Sequence, residues 1–370
     1  MARIKDFVKQ EIVLIISFAA AFVSCFFVPP DGDYAGYIDF RTLALLYSLM
    51  VVVAGWRKAG TFAYLAHSLC IRAANTRVMA MILIGLSFLS SMLITNDVAL
   101  LTFVPFAIVV LGMAHEEKEM IRVVVLQTVA ANLGSMLTPV GNPQNLFIHS
   151  YYGLSMADFI SYTLPVWIAS LVLIALLCLT VPAEKMELFL GEWPLIHKRS
   201  VALYSVLFAI CLLTVMRILA WQIMLAAVIL VCAVYDRGIL KKADFMLLLT
   251  FVFFFVFAGN LARIESVAQL LRKLMDGREY WVTLAASQVI SNVPATLLLS
   301  GFTGNAKALL LGADIGGLGM PIASLASLIS LKLYAHAEHA DSGRFLAEFL
   351  VMNIALLAVL SLLAMVLIGS

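Results

Sequence analysis

The sequence predicts an all-α integral membrane protein with two inverted-topology repeats, each holding a re-entrant helical hairpin and a broken transmembrane helix. Three observations lead there. The 370 residues are 63% hydrophobic and 12% charged, against roughly 25% charged and about 45–50% apolar in soluble domains. So few charges cannot cover a water-facing surface of this length, and a lipid-facing surface does not require them. Apolar stretches near the ~20 residues that cross a bilayer recur along the chain. Finally, two polar motifs interrupt those stretches in the same order in each half.

Arg3, Lys5 and Lys9 precede an apolar run from Ile12 to Val28. The run is longer than the ~7–15 residues of a signal-peptide core and lacks an A-x-A site, so it reads as a retained first span. Full spans are expected at 11–28, 40–56, 122–149, 157–181, 201–217, 219–235, 244–260, 306–335 and 345–369. Two further stretches, 78–113 and 281–304, are apolar but polar in their middles, and 61–77 and 261–279 read as amphipathic. With the N-terminus cytoplasmic and each centrally polar stretch returning to its starting side, most of the 24 Lys and Arg residues fall in the cytoplasm. Arg41, Arg217, Arg263, Arg272, Lys273, Arg278 and Lys307 fall opposite, and that bias supports the orientation.

The halves align at their polar motifs. Thr95-Asn96-Asp97 sits over Ser291-Asn292-Val293, and Ala131-Asn132-Leu133-Gly134 over Ala313-Asp314-Ile315-Gly316. Pro139 then falls on Pro321, Asn142 on Ser324 and Asn145 on Ser327, while upstream 40–56 matches 244–260. On this topology the matched spans run in opposite directions. Opposed repeats with broken elements meeting near the midplane are the pattern of secondary transporters. The chain is accordingly divided into 1–181 (first repeat: hairpin 78–113, broken helix 122–149), 182–243 (cytoplasmic linker and connecting spans) and 244–370 (second repeat: hairpin 281–304, broken helix 306–335).

Asn and Asp favour caps and turns over helix interiors. Thr95-Asn96-Asp97 in the middle of an apolar stretch therefore predicts a hairpin tip, with Asn96 or Asp97 capping the second arm. Irregular backbone at membrane depth is tolerated only where protein or a wet cavity satisfies it. Such a tip offers oxygens to a cation and a helix N-terminus to an anion. The segment Ser135-Met136-Leu137-Thr138-Pro139-Val140-Gly141-Asn142-Pro143-Gln144-Asn145 predicts a second break. Residues before proline are pushed out of the α region, and Pro143 can start a new helix with Asn142 as its cap. In the second half, Ser291-Asn292-Val293-Pro294-Ala295-Thr296 and Asp314 through Pro321 are the less polar counterparts. Asp97 and Asp314 lie deep in apolar sequence, and an intramembrane carboxylate is by default functional; each is suited to carry a proton or to help hold Na+.

The remaining motifs carry less. Cys25, Cys70, Cys178, Cys211 and Cys232 are scattered without a CxxC pair and read as small apolar residues. His336-Ala337-Glu338-His339 has metal-pair spacing but falls in an expected cytoplasmic loop. No Walker motif, G-x-S-x-G or nucleophile–base set appears, so neither an enzyme nor an ATP-driven pump is expected. No basic patch with interleaved aromatics suggests a nucleic-acid partner.

These motifs resemble the ion transporter superfamily of divalent anion:sodium symporters, citrate transporters, arsenite permeases and cation/proton antiporters. Thr95-Asn96 and Ser291-Asn292 match its hairpin tips, and 131–145 matches its Asn- and Gly-rich loop. The form Thr95-Asn96-Asp97 is closest to the arsenite-permease and antiporter branch. The resemblance implies a dimerising scaffold and a transport domain that moves with its substrate in an elevator fashion. The expected function is secondary active transport of a small anion across a cytoplasmic membrane (a bacterial inner membrane), coupled to Na+ or H+. The alternative is a Na+/H+ antiporter or an arsenite-type permease. Thr95, Asn96, Thr138, Asn142, Asn145, Ser291, Asn292 and Thr296 are expected to bind substrate. Asn96, Asp97, Gly141, Asn292 and Asp314 are expected to serve the coupling ion, with Na+ near Asn96, Asp97, Asn292 and Asp314. No other cofactor is expected; the partners are membrane lipid, the anion, the coupling ion and a second copy of the chain.

Overall fold

The computed structural model describes residues 11–113, 117–185, 193–338 and 340–369. Arg3, Lys5, Lys9 and His339 lie outside them. Among the described residues the protein is all helical, with one isolated bridge between Asn75 and Lys185. We label the helices α1 (Ile12–Ser24), α2 (Phe40–Lys58), α3 (Thr61–Cys70), α4 (Thr76–Ile94), α5 (Asn96–Met113), α6 (Glu117–Gly134), α7 (Pro143–Tyr151), α8 (Met156–Cys178), α9 (Lys198–Val215) and α10 (Trp221–Tyr235). The second half comprises α11 (Phe245–Arg263), α12 (Glu265–Met275), α13 (Glu279–Ile290), α14 (Asn292–Leu299), α15 (Ala306–Ile315), α16 (Leu325–Ala335) and α17 (Ser342–Gly369).

Seven helices among the described residues are long and apolar enough to cross a membrane, fewer than the nine spans expected, and the set differs. The first helix is 13 residues and α10 is 15, because their apolar runs extend into turns at 25–28 and 216–220. The stretch 306–335 divides into α15 and α16, separated by residues 316–324. Conversely, α4 alone has 19 residues and is long enough to cross, although it was expected as one arm of a dip. The two helix pairs joined at the polar tips are unequal. The first has arms of 19 and 18 residues, the second of 12 and 8.

Local chemistry sets the helix starts. Asp39 and Asp244 stand one residue before the aligned helices α2 and α11, and each side chain accepts the backbone N–H of N3: Thr42 at 3.0 Å and Leu247 at 2.9 Å. Satisfying one orphan donor in this way is worth ~1 kcal/mol. Asn75 and Asn305 do the same for α4 and α15. A Ser155–Asp158 capping box opens α8. At the far end of α11, Arg263 pairs with Asp31 at 2.7 Å and holds that exposed carboxyl below its usual range.

Packing repeats crosswise. The first arm α4 lies on α6, as α13 lies on α15, and the second arm α5 packs on α16, as α14 packs on α7. Thus the second arm of each half meets the second half-helix of the other. Two apolar clusters result. One gathers α4, α5, α6, α8 and α17; the other gathers α2, α9, α10 and α11 against α7 and α14.

Candidate functional site

The site is built where the interrupted helices end. Helix α6 stops at Gly134, a 3-10 turn covers Ser135–Leu137, a second covers Pro139–Gly141, and α7 starts at Pro143. Thr138 (φ −125°, ψ 151°) and Asn142 (φ −157°, ψ 159°) precede the prolines and are extended, as the clash with the proline ring requires. Asn142 caps α7, its Oδ1 accepting the Asn145 N–H at 3.0 Å. The second half has the same order: α15, a 3-10 turn at Pro321–Ala323, an extended Ser324 (φ −138°, ψ 133°), then α16.

The two tips share one unusual backbone. Thr95 has φ 69° and ψ 150°, and Ser291 has φ 73° and ψ 154°. Only glycine adopts this region without strain, which costs about 1–3 kcal/mol for other residues. The cap of α5 is Thr95 and not, as expected, Asn96 or Asp97. Residue 96 is already helical, its Oδ1 accepts the adjacent Asp97 N–H at 3.0 Å, and its amide turns inward. Replacing Thr95 or Ser291 by glycine should release this strain. Glycine's larger entropy loss on folding, ~0.5–1 kcal/mol, opposes the gain. The expected net is a stabilisation of ~1 kcal/mol, read as a raised thermal midpoint, with alanine at the same positions near neutral. An alanine variant as stable as the glycine one would refute the strain account.

The polar side chains of the breaks pair across the halves. Asn132, at the end of α6, is 4% exposed. Its Oδ1 accepts from Asn96 Nδ2 (3.0 Å) and Ser324 Oγ (3.0 Å), and its Nδ2 donates to Ser327 Oγ (3.2 Å). Asp314, at the aligned place in α15, is 3% exposed. Its Oδ1 accepts from Asn142 Nδ2 at 3.3 Å, which also donates to Ser135 Oγ at 3.2 Å. Gln144 and Asn145 face the same carboxylate. Each first half-helix therefore ends on the cap of the other half's second half-helix, through aligned residues. Asp314 Oδ2 and Asn145 Oδ1 remain buried with no hydrogen-bond donor, so the second cluster offers two unclaimed oxygens. A buried acceptor without a partner is costly, and a cation held by oxygens would satisfy both.

Not every expected residue joins these clusters. The Thr138 hydroxyl donates to Met92 O and ties the first break to α4. Gly141 closes its turn by donating to Thr138 O at 3.2 Å. Ser291 Oγ donates to Ala323 O (3.3 Å), and Thr296 Oγ1 to Asn292 O within its own helix (2.8 Å). The Asn292 amide approaches the backbone at Gly317. Thr95 is half-buried at the tip. Asp97 is half-buried too, with the Asp244 carboxylate acting on it, so Asp97 and Asp314 sit in unlike surroundings. Among the described residues no three His, Cys, Asp or Glu side chains converge; the donors are amides, hydroxyls and one carboxylate.

Several positioning residues escaped the sequence reading. Gln288 Nε2 donates to Gly316 O (2.7 Å) and Leu318 O (3.0 Å) while its Oε1 accepts the Met320 N–H (2.9 Å), so one side chain staples the second break. Trp167 Nε1 donates to Gly134 O at 3.2 Å and satisfies the end of α6. Gln127 Nε2 reaches Leu83 O, Ser87 Oγ and Phe103 O, each at 3.3 Å. Nothing but a lone polar residue in an apolar run signalled any of the three. Asn132, Ser324 and Ser327 had a signal in their alignment, which did not reveal the pairing.

A family model described as "Citrate transporter" matches residues 8–308. The inner membrane protein YbiR of Escherichia coli is 32% identical over 320 residues, covering 83% of this chain and 84% of that protein. An uncharacterized transporter of Methanocaldococcus jannaschii is 33% identical over 314 residues, 84% of each chain. A rice protein named as a silicon efflux transporter is 33% identical over 145 residues, 39% of this chain and 29% of its own.

Proposed function

The chain belongs to the citrate transporter family, and from that premise we propose that it moves a small anion across the cytoplasmic membrane, coupled to Na+ or H+, through two inverted repeats. The observation that carries this reading is the crosswise pairing of Asn132 with Ser324 and Ser327 and of Asn142 with Asp314. It supports an inverted repeat, because opposed halves related by a pseudo-twofold axis pair aligned residues reciprocally. It also puts the breaks of both halves at one place, where half-helix N-termini favour an anion and oxygens favour a cation.

The roles divide by chemistry. At the start of α7 the Gln144 N–H, next to the N–H-less Pro143, and at the start of α16 the first backbone N–H groups after Ser324 serve the anion. Asp314 Oδ2 and Asn145 Oδ1 serve the coupling cation, with Asn96 and Asn132 as the neutral counterpart in the other half. Because α7 and α14 pack against the α2–α9–α10–α11 cluster, that cluster is the scaffold past which the site travels as an elevator, and a second copy of the chain dimerises through it. A second reading, Na+/H+ antiport, is favoured by one observation: Asp314 has no Lys or Arg partner among the described residues.

The deciding experiment is thermal stabilisation of the purified protein by Na+, Li+ and pH, each with and without citrate, succinate, sulfate, phosphate or arsenite. A ligand that binds only the native state raises stability by RT ln(1 + [L]/Kd), ~2.7 kcal/mol at 100 Kd. Stabilisation by one anion that grows with Na+ establishes symport and names the substrate. Stabilisation by Na+ or Li+ alone, varying with pH and indifferent to every anion, overturns symport for antiport.

A further inference from the structure

Outside the transport site, the end of α12 has a composition that the mechanism does not use. This helix joins the membrane-length α11 to α13. Leu270 and Leu274, one turn apart, are exposed at 65% and 45%, and Trp281 near the start of α13 at 47%. Exposed leucines on one helix and an exposed tryptophan at the start of the next, both following a membrane-length helix, suit the headgroup level of a bilayer. At this level an open hollow of about 440 Å³ is lined by Arg272, Lys273, Asp276 and Glu279, with the 302–304 segment as its other wall. Among the described residues none of these four charged side chains takes part in an ion pair, and Asp276, one turn from Arg272, engages it only through the backbone. Two cations and two carboxylates thus line one hollow, each without a side-chain partner.

We propose that this hollow binds the headgroup of a zwitterionic phospholipid with a primary ammonium, phosphatidylethanolamine. Arg272 and Lys273 take the phosphate, as basic pockets at membrane interfaces do. Asp276 and Glu279 accept hydrogen bonds from the ammonium, and the acyl chains run along Leu270 and Leu274. The chemistry selects among headgroups. Phosphatidylglycerol answers the two cations but leaves both carboxylates facing an anion. Phosphatidylcholine carries the right charges but has no N–H to donate.

The test is native mass spectrometry of the full-length protein, delipidated in detergent and offered the three lipids at equal concentration. Phosphatidylethanolamine should be retained about tenfold over the other two, the ratio that ~1.4 kcal/mol of preference gives. Arg272→Gln/Lys273→Gln should lose all retention, and Asp276→Asn/Glu279→Gln should keep adducts but lose the preference. Lys241→Gln/Lys242→Gln, a basic pair elsewhere on the surface, should behave as wild type and shows that charge loss alone is not responsible. Equal retention of the three lipids, or an unchanged preference in the first two variants, overturns the site. Displacement of the lipid by equimolar soluble phosphoethanolamine makes the ligand a soluble zwitterion and overturns the lipid assignment.

Discussion

Asp314→Asn is expected to weaken binding of the coupling cation by roughly 30–100-fold, or about 2–3 kcal/mol, the scale of one charged contact. The substitution keeps the shape of the side chain and an oxygen able to accept from Asn142 Nδ2, now at 3.3 Å, so the break between α15 and α16 should persist. It removes the charge and replaces the oxygen that has no donor by an amide nitrogen, which cannot hold a cation. Cation titration of the thermal midpoint should flatten, and pH-dependent flux into proteoliposomes should vanish while anion binding stays measurable. Retained proton coupling in this variant would eliminate Asp314 as the carrier. The exchange Asn132→Asp/Asp314→Asn then asks whether the halves are interchangeable. A carboxylate at 132 would face Ser324 and Ser327 in place of Asn142 and Asn145, so partial return of the cation response is expected.

Gly141→Ala is expected to cost about 3 kcal/mol or more. A β-carbon there would lie 2.0 Å from Ser135 O, a backbone atom of the preceding turn, so relief requires the break itself to move. Overpacking commonly costs ~1–3 kcal/mol where side chains can yield, and here none can. The apparent thermal midpoint should fall by about 4 °C or more, and the displaced Asn142 should take cation dependence with it. Gly85→Ala is the control. Gly85 lies within α4 with nothing within 4 Å of its missing β-carbon. Alanine there should stabilise by about 0.5–1 kcal/mol through chain entropy. Similar midpoints for the two variants would remove the steric argument.

What could be read beforehand was whatever a single residue announces against its background. Asn96 and Asn292 stand out in apolar runs, and Pro139 and Pro143 cannot sit in an unbroken helix, so the places where helices end were legible. The arm lengths were not. The stretch 78–113 is apolar on both sides of its tip, and nothing in its composition says that α4 has 19 residues while α13, its counterpart, has 12. The cap position was misplaced by one or two residues because the left-handed turn at Thr95 has no signature in a threonine. The pairing of Asn132 with Ser324 and Ser327, and the three hydrogen bonds of Gln288, were hidden for a different reason. They depend on which half packs against which, and a lone glutamine in a helix reads the same whether it faces lipid, water or another backbone.

The crosswise pairing also bears on how the chain is made. Asn142 and Asp314 are separated by 172 positions. At ~5–20 residues per second of synthesis, the partner of Asn142 leaves the ribosome roughly 10–35 s after it. Throughout that interval the nascent first half holds a kinked, amide-rich segment that lacks its partners across the halves, Asp314 for Asn142 and Ser324 and Ser327 for Asn132. It must wait beside the insertion machinery or in a hydrated defect of the bilayer before it can close. A ribosome that stalls before residue 314 leaves a product with the same cross-half bonds missing, a mark by which membrane quality-control proteases can tell an abandoned chain from a finished one.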